Sequence, residues 1–195
     1  MANIQPVARE ELTEFESFFK IMENAIGFVP ETHFQMARRP EILKAFASLD
    51  LAVFGPGTVD MGLKQLVAFM SSVSGGCRYC QAHSAAAANS FGIDEAKVAA
   101  VFEFETSELF SEAERAALRL ARDAGIVPNA TTPAHFEELS EHFSDEQIVE
   151  LMASISIMGW LNRWNNTMAT VLEEAPLAFA SSKLNGHWEL GKHGK

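Results

Sequence analysis

Cationic residues are scarce in this chain. Its 195 residues include 15 Lys and Arg against 26 Asp and Glu, which gives a formal net charge of −11. Nucleic-acid binding depends on clustered cations that contact phosphates, so this balance argues against a nucleic-acid partner and against docking on an anionic membrane. No apolar run approaches the ~20 residues of a membrane-spanning helix, and the opening residues MANIQPVAREELTEF do not resemble a secretory signal. We therefore expect a cytoplasmic protein.

Cysteine is equally scarce, and the two that are present, Cys77 and Cys80, are separated by only two residues. Two cysteines are too few for a disulfide scaffold, and in a reducing compartment a close pair indicates redox or metal chemistry. Zinc takes four ligands, whereas Cys77, Cys80 and His83 offer three that crowd onto one and a half helical turns. Redox chemistry without a metal is therefore the favoured interpretation.

Sustained alternation of apolar and polar residues is absent, whereas apolar residues at helical spacing recur along the chain. This pattern predicts an all-α fold, and Ser111 with Glu114 forms a capping box at one helix start. We expect a single domain over residues 1–178 with its core motif at 60–92, followed by a loose tail, or an arm on a partner subunit, at 179–195. The predicted helices cover residues 9–26, 31–37, 40–53, 61–73, 77–90, 92–102, 111–125, 132–143 and 144–174.

One stretch of the chain resembles another that lies 82 residues later. QLVAFMSSVSGGCRYCQAHSAAAA, from Gln65, aligns with QIVELMASISIMGWLNRWNNTMAT, from Gln147, with six identical positions. The similarity predicts a duplicated helix–break–helix unit in which only the first copy carries thiols. Chance similarity between two apolar helices is the alternative.

The thiol pair falls at a predicted helix start, directly after two glycines. The first turn of a helix presents unpaired N–H groups and a partial positive charge, which stabilise a thiolate and lower its pKa from ~8.5 toward neutrality. The second thiol, one turn away, can capture an oxidised first thiol as a disulfide. His83 lies three residues after Cys80, where an imidazole either takes a thiol proton or simply packs. Tyr79, the only tyrosine, either orients its hydroxyl there or packs.

The segment LKQLVAFMSSVSGGCRYCQAHSAAAANSFG, residues 63–92, resembles the AhpD-like, peroxidase-related branch of the alkylhydroperoxidase/carboxymuconolactone decarboxylase family. The resemblance implies an all-helical bundle that assembles as a trimer or hexamer, and a dimer is a third possible assembly. It also implies that the protein is a thiol peroxidase without a bound cofactor. It further implies that Cys80 attacks the peroxide, that Cys77 resolves the product as a disulfide, and that an external dithiol reductant, either a protein or a small thiol, resets the pair. Three other segments are also similar to the family: GFVPETHFQMARRPEILKAF (27–46), FSDEQIVELMASI (143–155) and LNRWNNTMATVLEE (161–174).

The chain departs from the family pattern at both positions of the proton relay. The family carries a glutamate twelve residues before the first cysteine, where this chain has Gln65, and a histidine four residues after the second, where it has Ser84. The histidine stands one place earlier, at His83, which rotates its direction by ~100° around a helix. Glu150, which the internal repeat aligns with Ala68, is a candidate replacement carboxylate, and an exposed or salt-bridged Glu150 is the alternative.

These observations predict an antioxidant hydroperoxide reductase. The Cys80 thiolate would reduce ROOH to ROH and become a sulfenic acid, which Cys77 would condense to a disulfide. Three alternatives stay open: a thiol–disulfide reductase or redox relay that serves a partner, a redox-sensing oligomer without turnover, and carboxymuconolactone decarboxylase-like lactone chemistry with His83 as base. The sequence leaves the peroxide, the reductant and the oligomer size unspecified.

Overall fold

A computed structural model describes residues 2–184 and 186–194. Over these ranges the chain forms ten α-helices and four short 3-10 turns without any strand, which confirms the all-α prediction. No helix in this part of the chain is long and apolar enough to cross a membrane. The helices are α1 (Glu16–Ile26), α2 (Glu31–Met36), α3 (Pro40–Val53), α4 (Met61–Ser74), α5 (Arg78–Ser90), α6 (Glu95–Ala99), α7 (Glu112–Gly125), α8 (Pro133–Ser140), α9 (Asp145–Met168) and α10 (Glu174–Lys183).

A helical hairpin of α4 and α5 occupies the centre of the molecule, and α7, α9 and α10 pack around it. α4 is buried along most of its length. α5 has a face of small residues, Ala82, Ala85 and Ala88, all fully buried. Because these side chains are small, neighbouring helices can approach α5 closely.

A second apolar cluster holds the N-terminal helices. Phe15, Phe18 and Phe19 pack with Leu43 and Phe46 of α3, and the cluster also takes in part of α9. The N-terminal segment begins less regularly than predicted, since 3-10 turns precede α1 and the α-helix starts at Glu16 rather than at residue 9. The two clusters meet along α9, and a cavity lies between them.

The predicted duplication is wrong in its second copy. α9 runs unbroken for 24 residues through the positions that align with the break between α4 and α5. Where the first copy has Gly75 and Gly76, the second has Ile157 and Met158, which do not interrupt a helix. Only the first copy is therefore a helix–break–helix unit.

The expectation of a loose tail from residue 179 is corrected by the packing of the C-terminal residues. α10 lies against α5, the indole N–H of Trp188 donates to the Arg78 carbonyl at 2.9 Å, and the His193 carbonyl accepts from the Leu172 N–H at 2.9 Å. His193 is buried. Asn185 and Lys195, which belong to the predicted tail, lie outside the described residues.

The long helix predicted for residues 144–174 is divided at its C-terminal end. α9 stops at Ala169, which adopts a left-handed conformation with φ of 50°, and residues 170–173 form an irregular connection to α10. This connection crosses beside α2 and α5, as the contacts of Glu173 with the backbone of Glu31 and with His83 demonstrate.

Candidate active site

Cys77 and Cys80 lie together at the start of α5. Cys77 is the N-cap residue, and its sulfur accepts the Cys80 backbone N–H at 3.4 Å. Gly76, just before it, has φ of 67°, a left-handed conformation that favours glycine and turns the chain from α4 into α5. The two Sγ atoms are 2.9 Å apart and both thiols are free. A modest movement would join them as a disulfide.

The environment separates the acidities of the two thiols. The contact with the Cys80 sulfur lowers the pKa of Cys77, and the backbone N–H groups of Cys80 and Tyr79 support the same direction. Burial raises the pKa of Cys80 well above its ordinary value, and the bond with Cys77 adds to this effect. The two thiols therefore share a proton and titrate as a unit.

Asn165 of α9 is a third member of the thiol site. Its side-chain Nδ2 donates to the Cys80 sulfur at 3.5 Å, and Asn165 is buried. A donor in this position stabilises negative charge on Cys80. Sequence reasoning missed this residue, although an asparagine on the buried face of an apolar helix is a usable signal, and the 82-residue offset aligns Asn165 with His83.

His83 contacts the carboxylate of Glu173, which lies in the connection between α9 and α10. Its Nε2 lies 2.6 Å from Glu173 Oε2, and the Tyr79 hydroxyl donates to Glu173 Oε1 at 2.8 Å. The Glu31 backbone N–H donates to the same oxygen at 2.5 Å. Burial raises the pKa of Glu173, but His83 and these donors outweigh it, so the pKa falls below its usual value.

Tyr79 packs as well as donating its hydroxyl. Its ring stacks on the His83 ring with centroids 4.4 Å apart, and burial raises the pKa of its hydroxyl well above the ordinary value. Tyr79 and Glu173 thus fix the orientation of His83 from two sides. Glu173 was not among the predicted residues, because no periodic pattern marks a carboxylate in an irregular segment.

Glu150, the predicted replacement carboxylate, lies elsewhere. Lys64 Nζ contacts its Oε2 at 2.6 Å, and the Thr58 N–H donates to Oε1 at 2.7 Å. These partners, led by Lys64, lower the pKa of Glu150 to about 2. Glu150 does not line the cavity beside the thiols, so the salt-bridged alternative is the one observed, and Glu173 is the carboxylate beside His83.

A cavity of about 370 Å³ opens beside Cys80 and is lined by residues of α1, α2, α3, α4, α5, α9 and α10. The predicted residues Gln65, Ser84, Tyr79 and His83 also line it, whereas the fully buried Cys77 does not. No Lys or Arg of the described residues contributes to the lining. Most of the wall is apolar, with large side chains that include Met22, Phe28, Phe46, Phe54, Leu161 and Phe179.

Two further titratable residues of the cavity wall escaped prediction. Burial lowers the pKa of His33 to about 4, and its Nδ1 lies 3.1 Å from the Pro30 carbonyl, which can only accept, so this nitrogen carries the proton. Burial raises the pKa of Asp50 to about 7. Over the described ranges, no group of three or more His, Cys, Asp or Glu side chains is arranged to hold a metal ion.

Comparison with known proteins identifies the family to which the chain belongs. A family model described as the carboxymuconolactone decarboxylase family matches residues 40–123. The crystal structure of the debrominase Bmp8 is 36% identical, covers 91% of this chain and 95% of its own, and superposes with a TM-score of 0.85. The chain belongs to the AhpD-like carboxymuconolactone decarboxylase family. The family resemblance predicted from residues 63–92 is thus confirmed.

Two other structures extend the comparison within this family. A Bmp8 variant with one cysteine replaced by alanine, solved in complex with 2,3,4-tribromopyrrole, is 34% identical, with a TM-score of 0.87 and coverage of 92% of this chain and 96% of its own. A peroxidase-related protein with an AhpD core from Ralstonia eutropha JMP134 is 21% identical, with a TM-score of 0.81 and coverage of 92% and 95%. The latter supports the fold alone, whereas Bmp8 supplies a relative with a stated activity.

Proposed function

We propose that this protein is a thiol-dependent reductase of apolar organic electrophiles, with Cys80 as the attacking and Cys77 as the resolving thiol. The observation that carries the proposal is the position of Cys80 on an apolar cavity of about 370 Å³, with the Cys77 sulfur 2.9 Å away. The cavity is far larger than hydrogen peroxide requires, and its wall favours an organic substrate.

Organic hydroperoxides are the first substrate class. As the shared proton moves to Cys77, the Cys80 thiolate attacks the terminal peroxide oxygen, an S–O bond forms, the O–O bond breaks, and the alkoxide leaves as ROH after taking a proton. Cys77 then attacks the sulfenic sulfur, forming the disulfide and releasing water. The sum is ROOH and two thiols giving ROH, water and a disulfide. An external dithiol, whether a protein or a small thiol, reduces the disulfide, and no bound cofactor is needed.

The surrounding groups support this chemistry in distinct ways. Asn165 donates to Cys80 and stabilises its thiolate. His83, held by Glu173, lines the same cavity one turn along α5 and carries protons to and from the reacting atoms. Since Gln65 and Ser84 replace the acid and the histidine of the family relay, this His83–Glu173 pair takes over the relay in our proposal.

Reductive debromination is a second candidate function. It is favoured by the 36% identity to the debrominase Bmp8 over 95% of that chain, and by the tribromopyrrole bound to its cysteine variant. The same dithiol would serve, because Cys80 can take the bromine while the ring carbon takes a proton, and Cys77 can then displace bromide. The sum is a C–Br bond and two thiols giving a C–H bond, a disulfide, bromide and a proton.

Turnover by the purified reduced protein with excess dithiothreitol tests both candidates. Loss of cumene hydroperoxide or release of bromide from 2,3,4-tribromopyrrole identifies the substrate class. We expect Cys80→Ser to abolish turnover. Cys77→Ser, treated with cumene hydroperoxide in the absence of dithiothreitol, should complete only the first step, seen as a single oxidation of Cys80 by mass. Glu41→Gln, at the exposed N-terminal end of α3 and away from the cavity, is the control that should retain full activity. Turnover by Cys80→Ser at the rate of the unmodified protein would contradict the proposal.

A further inference from the structure

α3 turns one face toward the cavity, and this face carries a carboxyl group. Phe46, Asp50 and Phe54 are spaced by four residues, which places them one above the other on the helix. All three line the cavity. A carboxyl group therefore shares a helix face with two phenyl rings, on a wall where periodicity alone predicts an apolar residue.

Asp50 has no protein partner for its carboxyl group over residues 2–184 and 186–194. No hydrogen bond or ion pair involves its side chain, and no Lys or Arg of those residues lines the cavity. Glu173, which lies behind the cavity residue His83 without lining the cavity itself, is in contrast held by His83, Tyr79 and the Glu31 N–H. An unpaired carboxyl group in apolar surroundings is costly, and such groups concentrate where a ligand supplies the missing partner.

We propose that Asp50 determines the specificity of the cavity by accepting a hydrogen bond from an N–H or O–H group on an otherwise apolar substrate. The ligand class is a compact aromatic or aliphatic molecule with one donor, such as a phenol or a pyrrole. The inference rests on the proposed function for the reaction at Cys80, but it concerns binding and orientation rather than the chemical step. Asp50 is thereby a recognition residue, distinct from the thiols and from the His83–Glu173 pair.

The surroundings of Asp50 support a donor on the ligand rather than on the protein. Gln65 lines the same cavity, and within the described part of the chain its side-chain amide makes a single long contact of 3.8 Å from Nε2 to the Met61 sulfur. His33 is neutral at ordinary pH, and its protonated Nδ1 is already engaged by the Pro30 carbonyl. The tribromopyrrole bound to the Bmp8 variant has an apolar ring with a single N–H, which is the chemistry that an apolar wall with one acceptor would recognise.

Matched ligand pairs that do not react with thiols test the inference on the full-length protein. We would measure by calorimetry the dissociation constants of 2,4-dimethylphenol against 2,4-dimethylanisole, and of 2,5-dimethylpyrrole against 1,2,5-trimethylpyrrole. At pH 8, where a carboxyl group with a pKa of about 7 is mostly ionised, a hydrogen bond to it contributes about 1.5–3 kcal/mol, so the unmodified protein should prefer each donor-bearing ligand by about 10-fold to 150-fold. Asp50→Ala should bind both members of a pair within 2-fold of each other, roughly equal on this scale.

Two variants guard the interpretation. Asp50→Asn keeps the shape and an acceptor oxygen without charge, so we expect it to retain a reduced preference. It serves as the test variant if Asp50→Ala fails to fold. Glu41→Gln, at the exposed N-terminal end of α3, should keep the full preference. Equal affinities in the unmodified protein, an unchanged preference in Asp50→Ala, or no binding of any of the four ligands would each overturn the inference.

The outcome is separable from that of the proposed function. Loss of the preference in Asp50→Ala supports the role of Asp50 in recognition, whatever the activity of Cys80→Ser. Turnover by Cys80→Ser would contradict only the proposed reaction. If turnover depends on Cys80 while ligand preference does not depend on Asp50, the reaction stands and the recognition role falls.

Discussion

Glu173 illustrates how one side chain joins parts of the molecule that are distant in sequence. It meets His83 and Tyr79 of α5 and the backbone of Glu31 at the start of α2. All of these contacts depend on the irregular residues 170–173, which carry no apolar periodicity. The thiol pair, in contrast, was predictable because two cysteines three positions apart after a helix break necessarily lie close together.

Substitution of Asp50 should change stability in a pH-dependent way. Its pKa is raised from 3.8 to about 7 by burial, so the folded state penalises the ionised form and loses stability as pH rises from about 4 to about 7. Asp50→Asn removes this penalty. We expect urea unfolding to show Asp50→Asn more stable by about 1–3 kcal/mol at pH 8 and equal to the unmodified protein at pH 4. Equal stability at both pH values would contradict the desolvated, unpaired state of this group, and Glu41→Gln is the exposed control.

The thiol of Cys77 should titrate at a higher pH when Cys80 is removed. The contact with the Cys80 sulfur is the main cause of the lowered pKa of Cys77, so Cys80→Ala should move the thiolate midpoint of Cys77 to higher pH. Thiolate absorbance near 240 nm, followed against pH, measures this midpoint. Ser84→Ala, which alters the cavity wall without touching either sulfur, should leave it unchanged. A midpoint that stays in place in Cys80→Ala would mean that the helix start alone sets the acidity.

At the scale of helices, sequence reasoning succeeded where caps and breakers are local. The Ser111–Glu114 capping box begins α7, and the glycines before Cys77 separate α4 from α5, both as predicted. Sequence reasoning failed where tertiary packing determines the start of a helix. The helix expected from residue 9 begins only at Glu16, and Arg9 instead reaches to Glu16 and Glu23 as an ion pair, a contact that no window of neighbouring residues indicates.

The turn into α5 offers a test at this scale. Gly76 has φ of 67° with open space around its Cα, so Gly76→Ala should cost about 1 kcal/mol through backbone strain and should displace Cys77. Gly159, inside α9, also has open space but a helical conformation, and Gly159→Ala should stabilise by about 0.5–1 kcal/mol. Thermal unfolding and the rate of disulfide formation measure the two effects. A Gly76→Ala protein as stable as Gly159→Ala would argue against the strained turn.

At the scale of the whole molecule, the two apolar clusters explain why the cavity could not be predicted. Each cluster follows from helical periodicity, but the space between them depends on how α1–α3 pack against α4, α5 and α9. Residues such as Phe54 and Leu161 contact both clusters. The sequence therefore predicts the helices and the thiols, whereas the substrate space arises only from their assembly.

We expect the protein to form homo-oligomers, as the family resemblance implies. Val149 and Trp160 lie eleven residues apart on one face of α9, and 67% and 46% of their surfaces are exposed. A helix face with exposed apolar side chains is where we expect a second copy of the chain to pack. Light scattering should therefore give a mass above 21.4 kDa, and Trp160→Glu should lower it. Glu146→Gln is the polar control on the same helix, and a monomer in the unmodified protein would contradict the expectation.

The seclusion of the sulfur pair has a kinetic consequence for regeneration. Cys77 is 0% and Cys80 2% exposed, so a disulfide between them would be shielded from any reducing protein too large to enter the cavity. The first turn of α5 would have to loosen before exchange could occur. At saturating substrate, reduction of the disulfide would then be the slow step. The turnover rate would depend on the size and concentration of the electron donor rather than on the reactivity of the oxidant.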